Sequence, residues 1–417
     1  MIQLIHPGKR IGTITVPPSK SDAQRAIVAA SLVPEGHSVI HNCGESADVK
    51  AIIESVRLLG AQVSGDFTSL IIHGISALPA KCQLNVGESG LAFRMLAGVL
   101  ASADGDFSIH GKGSLENRTH GFVVDALTIC GAKVESTNHR LPFLISGKLK
   151  SGVFTIDGSQ SSQHITGLLM GYARAKLPVE LHISEMKSSP YLEMTQDTLK
   201  RFGVEMIFEN DTFFLDGTSA FHATHYSVEG DWSGASYPLV AAALGHELVT
   251  KGLSMNSKQA DKKLIDFLMK SNCQVTIFNE GIRVDGSLRN PMIADLTDCP
   301  DLFPAVVAFA ASTPGTSRFK GVHRLRNKES DRAMALQTEY AKLGVNISFE
   351  GDELVVKGVE KILTGRVDAH GDHRIAMALA VTALNAENTV ELNGAEHVSK
   401  SFPDFWEQWN ALYSVAR

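Results

Sequence analysis

A chain of 417 residues, 44% apolar and 20% charged, is long enough for two or three domains and for a sizeable buried core. Its 39 basic and 45 acidic side chains give a net charge of −6, which argues against nucleic acid or an anionic membrane as the main partner. Cys43, Cys82, Cys130, Cys273 and Cys299 are odd in number and widely spaced, so they read as reduced, buried thiols rather than a disulfide framework or zinc site.

The start, MIQLIHPGKR, lacks the apolar stretch of a signal peptide, and the apolar run Ala305–Ala311 is too short to span a bilayer; a cytoplasmic location is expected. IQLIHPGKRIGTITV reads as a hairpin with no helix before it. Pro17 and Pro18 then stop a strand, and SKSDAQRAIVAASLV begins polar and continues as a small, apolar helix. The same pattern recurs in GESGLAFRMLAGVLA, SSQHITGLLMGYARA, DWSGASYPLVAAALG, CPDLFPAVVAFAAST and HGDHRIAMALAVTAL. The landmarks Lys20, Ser89, Ser161, Ser233, Asp301 and Asp372 are 69, 72, 72, 68 and 71 residues apart, which is the mark of a repeat. Apolar nearly all round, these helices are expected to be buried.

Each is followed by an amphipathic helix: ADVKAIIESVRLL, RTHGFVVDALTIC, YLEMTQDTLKRF, DKKLIDFLMKS, ESDRAMALQTEYAKL and FPDFWEQWNALY. Five of these lead through a helix-ending residue (Gly60, Gly131, Gly203, Asn272 or Gly344) into two alternating apolar runs that read as hairpins. Helix, strand, helix, hairpin, repeated six times, predicts an α/β protein of repeated units in two groups of three. The C-terminus reads as a helix over SFPDFWEQWNALYSVA with no hairpin after it. The N-terminal hairpin is therefore expected to complete the last unit, with the chain ends meeting.

The polar residues of the buried helices gather at their N-terminal ends. Unpaired N–H groups and the positive end of the helix dipole suit phosphate or carboxylate there. Ser and Asp at these ends are also what ordinary capping predicts. Capping does not account for Lys20, Arg25, Arg94, Gln163, His373 and Arg374, so an anion site is the sharper reading.

Seven stretches in order resemble the 5-enolpyruvylshikimate-3-phosphate (EPSP) synthase family of enolpyruvyl transferases: PPSKSDAQRA, the Ser161-Ser162-Gln163 triplet, SSPY at Ser188–Tyr191, PDLF at Pro300–Phe303, KESDR at Lys328–Arg332, DHR at Asp372–Arg374 and KSFPDF at Lys400–Phe405. The resemblance implies a two-domain fold with three βαβαββ units per domain. Domain one would be residues 1–18 plus 230–417, domain two 19–229, with the active site in the cleft between them. It implies transfer of the enolpyruvyl group of phosphoenolpyruvate to the 5-hydroxyl of shikimate 3-phosphate, in the route to aromatic amino acids. No metal or organic cofactor is implied, and the protein would act as a monomer without a nucleic-acid or membrane partner.

Carried over position by position, the resemblance places Lys20, Gly90, Arg118, Gln163, Arg332, Arg374 and Lys400 on phosphoenolpyruvate. It places Lys20, Ser21, Arg25, Ser161, Ser162, Gln163, Ser188, Asp301 and Lys328 on shikimate 3-phosphate. Asp301, Glu329 and Lys20 are the implied acid/base groups, with Asp301 at the hydroxyl and Glu329 at the methylene carbon. Where the family usually reads Gly-Asn-(Ser/Ala)-Gly-Thr, this chain has Gly87-Glu88-Ser89-Gly90-Leu91, and Thr119 stands where a proline usually follows Arg118. A carboxylate at Glu88 is expected to alter the affinity for phosphoenolpyruvate. Two other readings are the related UDP-N-acetylglucosamine enolpyruvyl transferase, which normally uses a Cys on a Gly-rich loop, and a catalytically silent binding protein on the same scaffold. The intact SSQ and KESDR stretches favour shikimate 3-phosphate.

Overall fold

A computed structural model describes residues 1–415 of the chain apart from Asn327. The chain forms two compact units, one of Met1–Pro17 with Gly230–Arg417 and one of Pro18–Glu229.

The Pro18–Glu229 unit repeats one motif. Strand Lys81–Asn85 leads through buried helix Gly90–Leu100 to the parallel strand Asp106–His110. The amphipathic helix Gly121–Ile129 follows, and then the hairpin Lys133–Thr137 and Arg140–Ser146, whose second strand pairs antiparallel with Asp106–His110. The same βαβαββ order is built on strands Gly152–Asp157, Val179–Ser184, Ile207–Glu209 and Thr212–Leu215. It recurs on Ser38–His41, Gln62–Asp66 and Ser69–His73, whose parallel partner is the late strand His225–Ser227.

In the other unit, strands Ile293–Asp295, Gly315–Lys320, Asn346–Glu350 and Glu353–Gly358 keep the full pattern. The sheet of Glu247–Lys251, Gln274–Phe278 and Gly281–Asp285 takes its parallel strand from the N-terminus, Lys9–Thr15. The sheet of Arg366–Asp368 and Val390–Asn393 takes Ile2–Ile5 as an antiparallel third strand.

The N-terminal segment is therefore not a hairpin, contrary to its sequence pattern. Its two strands enter different sheets, and only Ile2–Ile5 completes the last unit. Alternation and a Pro-Gly turn signal two strands but do not name their partners; here Gly8 (φ 145) donates to the Leu384 carbonyl and the chain turns away. The chain ends meet as expected, through Ile2–Ile5 on Val390–Asn393 and Lys9–Ile11 on Tyr413–Val415. That last pairing corrects the C-terminal reading too. The helix covers only Phe405–Ala411, Leu412 is extended, and a strand follows.

The landmark helices lie in the cores, and Lys20–Ser31, Gly90–Leu100, Gln163–Ala175, Trp232–Ala243, Phe303–Ala311 and His373–Ala383 are buried almost throughout. Small residues let them approach closely. Gly98, Gly167 and Gly171 form the crossing of helices Gly90–Leu100 and Gln163–Ala175, where a Cβ on Gly98 would stand 2.1 Å from the Gly167 carbonyl carbon. The amphipathic helices end as read. Gly60, Gly131, Gly203, Asn272 and Gly344 all have positive φ, from 61° at Asn272 to 109° at Gly60.

Candidate active site

The Gly230–Arg417 segment gathers six of the predicted residues. Arg332, the first residue of helix Arg332–Lys342, is 1% exposed. Its Nη1 donates to Asp301 (2.7 Å), its Nη2 to Glu329 (2.7 Å) and its Nε to Asp372 (2.7 Å). Arg374 Nη2 donates to the other Asp301 oxygen at 3.0 Å, and Lys328 Nζ reaches Asp301 at 3.3 Å. Lys400 lies 3.8 Å from Glu329. Local structure fixes these contacts: Asp372 caps helix His373–Ala383 by accepting from the Arg374 N–H, and Asp331 caps helix Arg332–Lys342.

Four cations thus face three carboxylates in a partly buried cluster. Burial alone would push the Asp301 carboxyl up, but Arg374, Lys328 and Arg332 outweigh it and hold it well below the usual carboxylate range. Arg332 is the converse. Burial opposes its charge, yet Asp372, Glu329 and Asp301 raise its pKa above the ordinary value. Burial lowers Lys328, against the pull of Asp301. Behind the cluster, burial and the charge of Asp301 push Asp261 up to about 7; Ser233 Oγ donates to it.

The Pro18–Glu229 unit holds the other predicted residues. Lys20 pairs with Asp48 at 2.9 Å. Arg25, 1% exposed, donates through Nε to Thr195 (2.9 Å), through Nη1 to the Ser21 carbonyl (2.8 Å) and through Nη2 to the Tyr191 carbonyl (3.3 Å). Burial lowers Arg25 to about 10 despite Asp22. Tyr191 and Thr195 belong to helix Ser189–Arg201, which Ser188 introduces in a left-handed conformation (φ 57, ψ 39), strained for a non-glycine residue.

The helix crossing described above brings Arg94 to Gln163, whose Oε1 accepts from Nη1 at 2.6 Å. The guanidinium lies over Gly90, where a Cβ would stand 3.0 Å from Nη1. Ser161 Oγ accepts from the Gln163 N–H at 3.1 Å, and Ser162 is the buried residue preceding the helix. Ser89 both caps its helix and donates to Gln24 at 2.8 Å, which ties it to helix Lys20–Ser31. Arg118 donates to Ser114 at 2.9 Å. His120 and His164 flank Arg94. Burial and the Arg94 charge lower them to about 3 and about 4.

Sequence reasoning did not reach Asp48, Thr195, Asp261 or the Arg94–Gln163 pair. Asp48 lies in the first turn of an amphipathic helix, where an acidic residue also serves the helix dipole, so its type carried no further signal. Arg94 stood out as unexplained by capping, but its partner depends on the glycine crossing.

Six-fold βαβαββ repetition with buried cationic clusters at the helix starts defines an enolpyruvyl-transferase-like α/β protein. The enolpyruvyl transferase NikO from Streptomyces tendae has this fold, with a TM-score of 0.76 at 16% identity over 100% of this chain and 98% of that one. An EPSP synthase from Acinetobacter baumannii superposes with a TM-score of 0.82 at 26% identity, covering 98% of both chains. The family model of EPSP synthase (3-phosphoshikimate 1-carboxyvinyltransferase) matches residues 5–409. Proteins called 3-phosphoshikimate 1-carboxyvinyltransferase from Clostridium novyi and Halobacterium salinarum are each 34% identical, over 99% and 97% of this chain and 97% and 96% of theirs. The chain belongs to the EPSP synthase family. It is a transferase of the shikimate pathway, and the UDP-N-acetylglucosamine reading is not favoured.

Proposed function

We propose that the two sets of residues divide the work on phosphoenolpyruvate and shikimate 3-phosphate as follows. Lys20, Gly90, Arg118, Gln163, Arg332, Arg374 and Lys400 hold the donor. Ser21, Arg25, Ser161, Ser162, Gln163, Ser188 and Lys328 hold the acceptor, with Lys20 and Asp301 in reach. The observation that carries this reading is the saturation of Arg332 by Asp301, Glu329 and Asp372. In this arrangement Asp301 is ionised and held by three cations, so it is a poor base. An incoming carboxylate or phosphate competes for Arg332, Arg374 and Lys400. As those cations turn to the donor, Asp301 and Glu329 lose counter-charge, and Asp301 becomes the better base.

Asp301 then takes the proton of the 5-hydroxyl as the hydroxyl oxygen bonds to C2 of the donor, and Glu329, protonated from solvent once Arg332 and Lys400 turn to the donor, delivers that proton to C3. In the second half a C3 proton returns to Glu329, the double bond re-forms, and the C2–O bond to phosphate breaks, the departing phosphate taking up the proton held by Asp301. Lys20 assists as a point charge beside the leaving oxygen. We read the protein as a cytoplasmic monomer without nucleic-acid or membrane partners. The net charge of −6 supports the absence of a polyanionic partner. Among the described residues no helix is long and apolar enough to cross a membrane. Release of inorganic phosphate from phosphoenolpyruvate that depends on shikimate 3-phosphate tests the reaction; no release overturns it.

A further inference from the structure

Glu88 lies in the turn before helix Gly90–Leu100. Its carboxylate is fixed from two sides. Oε2 accepts from Ser114 Oγ at 3.4 Å. Oε1 packs on the backbone of Gly113, where a Cβ would stand 2.5 Å away; Gly113 has φ 57 and ψ −132, a conformation for glycine. The two turns are joined by the Lys112 N–H on the Gly87 carbonyl at 2.8 Å. Ser114 Oγ in turn accepts from Arg118 Nη2 at 2.9 Å. With its hydroxyl proton directed at the carboxylate, Ser114 presents lone pairs to the guanidinium. Arg118 itself is nine-tenths buried, and its Nε has no hydrogen-bond partner among the described residues.

We propose that Glu88 is a specificity-determining positioning residue of the donor subsite. Its carboxylate, acting through Ser114, holds Arg118 and competes with the anionic group of phosphoenolpyruvate for that guanidinium. The proposal rests on the assignment of Arg118 to the donor. Glu88 sits two hydrogen bonds from Arg118 in an exposed turn, a setting of high effective dielectric. Like-charge repulsion of the donor at such a distance changes affinity by about three- to tenfold and is screened by salt.

The test is the steady-state KM for each substrate in the wild type, Glu88→Gln, Glu88→Asp and Arg118→Lys, at low salt and at about 0.5 M salt, where the Debye length falls to about 4 Å. Glutamine keeps an acceptor for Ser114 and removes the charge. Glu88→Gln lowers the phosphoenolpyruvate KM about three- to tenfold relative to the shikimate 3-phosphate KM, and the difference shrinks at high salt. Glu88→Asp keeps the charge, so its phosphoenolpyruvate KM stays above that of Glu88→Gln, and the gap between the two closes at high salt. An unchanged or raised donor KM in Glu88→Gln, or a drop indifferent to salt, overturns the role of Glu88. If Arg118→Lys leaves the donor KM untouched, the assignment of Arg118 is wrong and the proposal falls with it. That outcome is distinguishable because it does not depend on position 88.

Discussion

Arg332 and Asp372 share two hydrogen bonds, at 2.7 Å from Nε and 3.4 Å from Nη2, and neither side chain is more than 1% exposed. Asp372 also caps the neighbouring buried helix, so one carboxylate couples the position of a site cation to the start of a core element.

Arg332→Met removes one partner from each of three carboxylates and should destabilise the protein by about 3–5 kcal/mol, because the fully buried charge of Asp372 loses its guanidinium. A urea midpoint close to that of the wild type would contradict this. Arg332→Lys keeps the charge but cannot fork to three acceptors. It should retain most of the stability while turnover falls by about 100-fold, read as phosphate release.

Asp301→Ala and Glu329→Gln should each lose about 10²–10⁴-fold in turnover, the usual contribution of a positioned acid or base. Glu329→Gln is nearly isosteric and should leave the circular dichroism and melting profile close to the wild type. Turnover near the wild-type rate in both variants would remove the acid/base assignment.

Gly167 tests the coupling of packing to the site. A Cβ there would stand 2.3 Å from the Arg94 carbonyl oxygen, so Gly167→Ala must part the two helices. Overpacking of this kind costs about 1–3 kcal/mol. The shift also separates Arg94 from Gln163, so the phosphoenolpyruvate KM should rise together with the loss in melting temperature. An enzyme with wild-type melting and KM would exclude the coupling.

The buried histidines give a pH dependence. Burial and Arg94 lower His120 to about 3 and His164 to about 4, below their ordinary value of 6.5. Between those values the unfolded chain binds protons that the folded chain refuses, so their contribution to stability falls as pH falls from about 6.5 to 4. Two such groups give a slope of up to about 2.7 kcal/mol per pH unit. Asp22, pushed up to about 6 by burial, and Asp261, pushed up to about 7 by burial and the charge of Asp301, work in the opposite direction. Urea unfolding from pH 7 to 4 should show His164→Gln losing less stability with acid than the wild type. Parallel curves would refute the contribution of His164.

The repeat was legible in the sequence because its markers have a backbone cause. Gly60, Gly131, Gly203, Asn272 and Gly344 each occupy a left-handed helix end that few other residues tolerate. The KESDR and DHR stretches were legible as charge, and the structure joins them at Arg332. Pairing over long distances was not legible. Nothing local distinguishes Lys9–Thr15 as the neighbour of Glu247–Lys251 from half of a hairpin, and nothing near Lys20 points to Asp48. Tyr413 and Val415 favour a strand, but the helical pattern preceding them masked the change.

The borrowed strands also set an order of events during synthesis. Once residue 229 has left the ribosome, the Pro18–Glu229 unit has every strand it needs, the last being His225–Ser227. Ile2–Ile5 is made long before Val390–Asn393, the strand it pairs with. At about 5–20 residues per second that wait lasts on the order of tens of seconds to a minute. Through it the nascent chain carries an unpaired N-terminal edge, a natural foothold for a chaperone and the first place for aggregation when translation stalls.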